Sequence, residues 1–486
     1  MRLPDLPYKW VVATIFVIGL FMDIMDTTII NVALPTLARD FHATAASTEW
    51  VVLGYLLSLA VWIPASGWIG DRFGTKRTFL FALFAFTAAS AMCGQAQTLA
   101  QLNVFRVLQG VGGGMLAPVG TTMLFRAFPP LERAKASTVL VIPTVLAPAL
   151  GPILGGWLVT DHSWRWIFYV NLPLGLFGFA FGWLYLKEHR EPSAASFDLP
   201  GFLLSGGGLA LVVYALSQGP EIGWLAGRVV VTGVVGVACF TVLVLVETRV
   251  AHPMLQLRLL SERMFRNANI VTALSYGGFL GVLFLLPQFL QGLRGISALQ
   301  SGLTTFPQAI GVILSSQIAG RLYHRVGPRR LVVSGLILVT SISVVFMFLT
   351  LTTSLWWIRL IMFVRGFGMA FTFVPLQAAT YANVSRADTG RATAIFSATR
   401  QVSASLGVAT LATVWIGRTK AMVGSAGGVP AAVQHAQLRG FQQAFFAAAV
   451  IAALAVLSAL LVRDEDAAST IRRPGRAAPA PAPASH

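Results

Sequence analysis

Two carboxylates inside an apolar run carry the first chemistry in this chain. Met22 to Pro35 reads MDIMDTTIINVALP and closes an apolar stretch that begins near Trp10. Asp23 and Asp26 stand three residues apart, which puts both on one face of a helix. A carboxylate within a bilayer is costly unless it is paired or used, so each is a candidate proton carrier. A cleaved signal peptide does not fit, because acids interrupt the apolar region and no small-residue cleavage site follows. Four arginines, Arg106, Arg359, Arg365 and Arg400, lie in equally apolar surroundings. Gln109 and Gln377 lie there too and read as cavity-lining groups or as hydrogen-bonding glue between helices. No His/Glu pair has metal-ligand spacing, no Ser/His set is evident, and no GxxxxGK[ST] loop is present. The expectation is therefore no metal, no nucleotide, no cofactor and no enzymatic activity.

The elements that must position these residues are membrane helices. Of 486 residues, 56% are hydrophobic and 11% charged, where a soluble chain has about 25% charged residues. The mean hydropathy is +0.73. Unbroken apolar runs of about 20 residues indicate helices, not the short alternating strands of a barrel. Fourteen spans are expected, at about 10–35, 47–70, 77–94, 99–125, 134–158, 164–186, 201–217, 228–247, 265–290, 297–323, 330–351, 355–381, 391–416 and 440–462. Residues 464–486, first charged and then Pro/Ala-rich, read as a disordered tail. Cys93 and Cys239 both fall in apolar runs and imply no disulfide framework.

Charge placement orients the spans. With the N-terminus inside and the chain alternating, 24 of the 35 Lys and Arg residues fall on the inner side and 7 on the outer, with four in spans. This is the asymmetry of the positive-inside rule, so both termini are expected in the cytoplasm of a bacterial-type inner membrane. The net charge of +17 is then a matter of topology, and no nucleic-acid partner is implied.

The chain also repeats itself. Gly67 to Arg77 reads GWIGDRFGTKR, and Gly320 to Arg330 reads GRLYHRVGPRR. Gly67 matches Gly320, Arg72 matches Arg325, Gly74 matches Gly327, and Lys76-Arg77 matches Arg329-Arg330. Each segment lies between the second and third spans of a block of six. The expected organisation is a six-helix half at 1–190, two inserted spans at 191–260 and a second half at 261–463. Parallel repeats of this kind are a transporter architecture, with the substrate site between the halves. The inserted spans are expected at the periphery, without a part in coupling.

On these motifs the chain resembles the major facilitator superfamily in its fourteen-helix drug:proton antiporter branch. MDTTIINVALP is similar to the branch's first-helix signature and GWIGDRFGTKR to the superfamily's loop. RVLQGVGGG from Arg106 resembles the fourth-helix motif, APALGPILGG from Ala147 the fifth-helix antiporter motif, and WRWIFYVNLPLG from Trp164 the entry to helix six. The resemblance implies an all-α polytopic protein driven by the proton gradient, with Asp71 and its basic neighbours Arg72, Lys76 and Arg77 locking the inner contact between halves. His324 replaces the acid in the second copy, so the lock is not symmetric. In the fifth helix, Pro148 and Pro152 bend the backbone, while Gly151, Gly155 and Gly156 admit a close neighbour. The matching late helix has only Gly407 in its middle.

In the fold that the resemblance implies, helices 1 and 4 both line the cavity. Asp26 and Arg106 lie at matching depth, about 12–14 Å below the outer edge at 1.5 Å per residue. Asp26 is the expected coupling carboxylate, tuned by Arg106, with Asp23 as substitute. Arg365 and Arg400 should face the interior, holding an anionic part of a substrate or bonding backbone carbonyls. The carbonyl role suits Arg400 better, because its Arg-Gln pair resembles the branch pattern. Branch members that export divalent cations carry an acid in the tenth span, which this chain lacks. The reading is a proton-coupled exporter of small amphipathic compounds that works as a monomer in the lipid bilayer. A narrow-specificity exporter and a proton symporter are the alternatives.

Overall fold

The computed structural model describes residues 7–190, 197–247, 249–250, 253–424 and 430–471. Among them there are helices and no strand. In chain order these are α1 (Tyr8–Asp40), α2 (Ala45–Phe73), α3 (Thr75–Gln95), α4 (Leu99–Ala127), α5 (Arg133–Asp161), α6 (Trp166–Tyr169), α7 (Asn171–Tyr185), α8 (Leu199–Ile222), α9 (Gly227–Glu247), α10 (Arg263–Pro287), α11 (Ala298–Thr305), α12 (Pro307–Val326), α13 (Pro328–Phe346), α14 (Leu355–Thr380), α15 (Thr389–Gly424) and α16 (Pro430–Ala459). All fourteen expected stretches carry helix, and two of them are in two pieces. The tenth breaks ahead of Pro307, which opens α12, a position where proline's missing N–H is no loss.

Eleven helical stretches among the described residues are long and apolar enough to cross a membrane by themselves. The expected spans not among them are those of α4, α12 and α15. They hold the buried or half-buried Arg106, Gln308 and Arg400. A helix surrounded by other helices does not need an apolar surface all round, so interior polarity is what lowers their hydropathy. The chain is an all-α, multi-pass membrane protein.

Lys9, early in the described residues, and Ser469, late in them, lie at one end of the bundle. Lys9 Nζ lies 2.5 Å from Glu132 at the start of α5. The neighbouring Arg133 donates to the carbonyl of Tyr381, and Ser469 Oγ donates to the carbonyl of Ala382 at 2.9 Å. We call this the terminal end.

Three expectations change here. The tail does not lose its structure at residue 464: Asp464–Thr470 form a 3-10 turn in which Thr470 is buried and its hydroxyl lies 2.6 Å from that of Tyr323. The expected stretch beyond it, 472–486, lies outside the described residues. The expected spans 391–416 and 440–462 extend towards each other, as α15 runs on to Gly424 and α16 begins at Pro430. Finally, only α9 of the inserted pair is largely exposed. Gly206 on α8 lies so close to α2 that a Cβ there would stand 2.7 Å from the carbonyl oxygen of Val61. Trp224 just beyond α8 donates to Thr413 on α15 at 2.9 Å. Thus α8 bridges the seam between α2 and α15.

The repeat extends further than the loop sequences. Gly74 and Gly327 have φ of +100° and +85°, a region open to glycine at little cost. A glycine N-cap has no side chain to satisfy the first N–H groups of the next helix. In the first copy Glu188, just past α7, accepts from Lys76 N at 3.0 Å. In the second Asp464, just past α16, accepts from Arg329 N at 2.9 Å. Lys76 and Arg329 are the matched positions, so a carboxylate following the sixth helix of each half caps its third.

Candidate functional site

The first-span acids sit in two different settings. Asp26 is 1% exposed and fully enclosed by donors. Arg106 Nη1 on α4 forms a short ion pair with it. Gln109 Nε2, one turn along α4, donates to it at 2.9 Å, and Asn171 Nδ2 on α7 at 3.3 Å. Arg106 is anchored in turn: its Nε donates to the carbonyl of Val51 at 2.8 Å, its Nη1 to Gln109 Oε1 at 2.8 Å, and its guanidinium lies 4.4 Å from the Tyr55 ring centre. Asp23 accepts a short hydrogen bond from the Tyr55 hydroxyl on α2. The backbone at Gly113 permits this, because a Cβ there would stand 3.1 Å from Asp23 Oδ1. The structure therefore brings Asp26 and Arg106 together, as depth counting along two antiparallel helices anticipates. It does not place Gln109 in a cavity. Position 109 shares the face of Arg106 at i+3, and that face meets α1.

Tyr55 and Asn171 were missed by the sequence reading. Asn171 had a signal, being a lone amide in an apolar run. Tyr55 had none, since an aromatic in a membrane helix passes for packing.

Between the halves lies a narrow cavity of about 30 Å³, which holds little more than a water molecule. Phe16, Leu20, Val141, Phe373, Leu376 and Phe396 form much of its apolar wall, and Gln377 and Arg400 reach it. Arg400 Nη2 donates to the Tyr276 hydroxyl at 2.8 Å, so its partner is a side chain and not the expected backbone carbonyl. Arg365 is 1% exposed and donates from Nη1 to Gln308 Oε1 at 2.7 Å. It faces the interior of the second half and does not line the cavity.

The halves are fastened at the terminal end. Arg126 Nη2 donates to Asp71 at 3.0 Å and to the carbonyl of Arg386 at 3.2 Å, tying α2 and α4 to the loop before α15. Gly67 makes the approach possible, since a Cβ there would lie 2.7 Å from the carbonyl oxygen of Gly390. The hydroxyls of Thr122 and Thr393 are 2.6 Å apart, and the rings of Phe125 and Tyr381 are 4.6 Å apart. Lys76 and Arg77, expected in the lock, contact their own half, Arg77 Nε lying 3.6 Å from Glu188. Arg72 is exposed, and Lys76 Nζ donates to the carbonyl of Trp183 at 2.8 Å within its own half. One cation opposite Asp71, Arg126, comes from α4.

On α5, a Cβ at Gly151 would stand 2.9 Å from that of Thr28, and one at Gly155 2.8 Å from Ile29 Cγ1. Gly156 differs, with nothing within 4 Å. On its other side α5 meets α11, where a Cβ at Gly302 would stand 3.1 Å from Ile153 and 3.9 Å from Pro152. Pro148 lies buried within the same unbroken helix. The one mid-helix glycine at this crossing of α15 suffices because the partner is also glycine: Gly407 packs backbone to backbone on Gly277 of α10.

Comparison with known proteins agrees with this arrangement. The chain is 36% identical over 403 residues to a Mycobacterium tuberculosis protein named Multidrug resistance protein B homolog, covering 82% of this chain and 74% of that one. It is 35% identical over 408 residues to the Putative multidrug resistance protein MdtD of Klebsiella pneumoniae, covering 82% and 84%. It is also 30% identical over 413 residues to the Fatty acid resistance protein FarB of Neisseria gonorrhoeae, covering 82% and 79%. The solved structure of the human organic anion transporter MFSD10 (TETRAN) shares the fold with a TM-score of 0.66 at 16% identity, covering 93% of this chain and 100% of that one. The sequence profile described as Major Facilitator Superfamily matches residues 16–408. Paired helical halves, a cavity between them and acids buried beside it thus have their explanation in descent: the chain belongs to the Major Facilitator Superfamily, a family of transporters.

Proposed function

We propose that this chain is a proton-coupled exporter of small amphipathic compounds, with fourteen crossings and the terminal end in the cytoplasm of a bacterial inner membrane. The two six-helix halves move against each other as units, and the monomer is the working form. The names of its relatives support drug export. The observation that carries the coupling is the enclosure of Asp26 by Arg106, Gln109 and Asn171. A carboxylate whose partners come from α4 and α7 changes their mutual fit when it gains or loses a proton. The two facing states then favour different protonation. In this reading the contact of Arg126 with Asp71 closes the cytoplasmic side, and it must part before the next substrate enters.

The test is Asp26→Asn in proteoliposomes. Proton-driven accumulation of substrate should vanish while downhill exchange of substrate survives. Gradient-driven transport at the normal rate in this variant would move the coupling role to Asp23. Downhill exchange lost together with pumping, in a protein that still folds, would make Asp26 a binding residue and not a coupling one.

A further inference from the structure

Charge within the membrane is balanced differently in the two halves. In the first half, the one arginine deep in a span, Arg106, is ion-paired with Asp26. In the second, Arg365 and Arg400 are both deep in spans, and among the described residues neither has a carboxylate within ion-pair distance. Arg365 is anchored by a neutral amide, and its Nε is buried without a partner. Arg400 has one neutral hydroxyl partner, Tyr276, and lies 4.5 Å from that ring's centre. Asp23 in the first half exerts its charge on Arg400 at a distance, but it is bonded to Tyr55 instead. A guanidinium held without a paired carboxylate in a low-dielectric interior is expensive.

The surroundings of these two arginines are aromatic. Tyr276, Phe279 and Phe373 form a triad with ring centres 5.9–6.0 Å apart. Arg400 stacks on the Tyr276 end and Arg365 lies 5.9 Å from the Phe279 ring. Tyr276, Phe373 and Arg400 all line the cavity, and Arg400 is its one charged lining residue among those described. Apolar walls with a single cation at one end fit a molecule with an apolar body and one negative group.

We propose that the cavity between the halves, widening as the halves part, binds amphipathic anions, with Arg400 holding the anionic head and the Tyr276–Phe373 face holding an aromatic or aliphatic body. This deepens the exporter reading and rests on it only for the direction of transport. The anion site is separate from the proton site, because Asp26 lies behind Arg106 and does not line the cavity. Coupling between them then runs through conformation and not through competition for one group. Arg365 is the positioning residue, whose charge adds to the field on the triad.

The test uses three naphthalene probes of similar shape and permanent charge state: 2-naphthalenesulfonate, trimethyl(2-naphthyl)ammonium and naphthalene-2-sulfonamide. Equilibrium binding to the purified full chain in detergent should favour the sulfonate over the ammonium by tenfold or more. Arg400→Gln should weaken sulfonate binding about tenfold and remove the preference, while Arg400→Lys should keep much of it. A normal thermal unfolding curve for Arg400→Lys guards against a folding artefact. Equal or tighter binding of the ammonium, no binding of any probe, or sulfonate binding indifferent to Arg400→Gln would overturn the proposal. Binding is read at equilibrium without a proton gradient, so failure of proton coupling and failure of anion recognition are separate results.

Discussion

At the scale of single residues, the Asp26–Arg106 pair is the feature that sequence and structure share most fully. Counting residues from helix ends puts both at one depth, and the pair forms. What counting does not supply is the rest of the shell. Gln109 looks like a cavity amide until the face of α4 that bears it is known to meet α1. Asn171 and Tyr55 come from helices whose rotation no residue count determines. A buried ion pair is strongly destabilised when one partner is removed, by about 3–5 kcal/mol, because the other charge is stranded. Arg106→Gln alone should therefore lower the thermal midpoint of the purified protein sharply. Adding Asp26→Asn should restore much of it, since neither amide then faces an unpaired charge. A double variant no more stable than Arg106→Gln alone would show that the pair contributes nothing as a pair.

At the scale of helices, the fifth-helix glycines divide by what they touch. Gly155 faces Ile29 at a distance that leaves no room for a side chain, and Gly156, its neighbour, faces open space. Overpacking a tight contact costs about 1–3 kcal/mol. Gly155→Leu should reduce both folded yield and transport, whereas Gly156→Leu should leave both near normal. Equal effects of the two would mean that the motif acts through backbone flexibility and not through its fit to α1. The composition of such a motif is visible in a sequence, but which glycine is at the crossing is set by helix rotation. The same limit hid the second half's version of the device. There the two glycines, Gly277 and Gly407, are 130 residues apart in the chain, and only their packing joins them.

At the scale of the whole molecule, the superfamily was legible because the Gly67 and Gly320 segments repeat in sequence. The end of the second half was not legible, because a run of charged residues after α16 has the composition of a tail. The 3-10 turn there packs its Ala467 and Thr470 inward. A chain ending at Ile471 should fold and transport normally. One ending at Arg463 loses Asp464 and with it a helix cap worth about 0.5–2 kcal/mol, together with the Thr470–Tyr323 contact. It should show a lower thermal midpoint and reduced yield. Full stability in the shorter chain would return residues 464–471 to the status of a dispensable tail.

The paired carboxylates Glu188 and Asp464 have a consequence for how the chain is assembled. Each joins the last residues of a six-helix group to the start of that group's own third helix, so each group is latched to itself before anything joins it to the other. Two separately translated pieces, cut between Arg190 and Phe197, should find each other in one membrane and restore export.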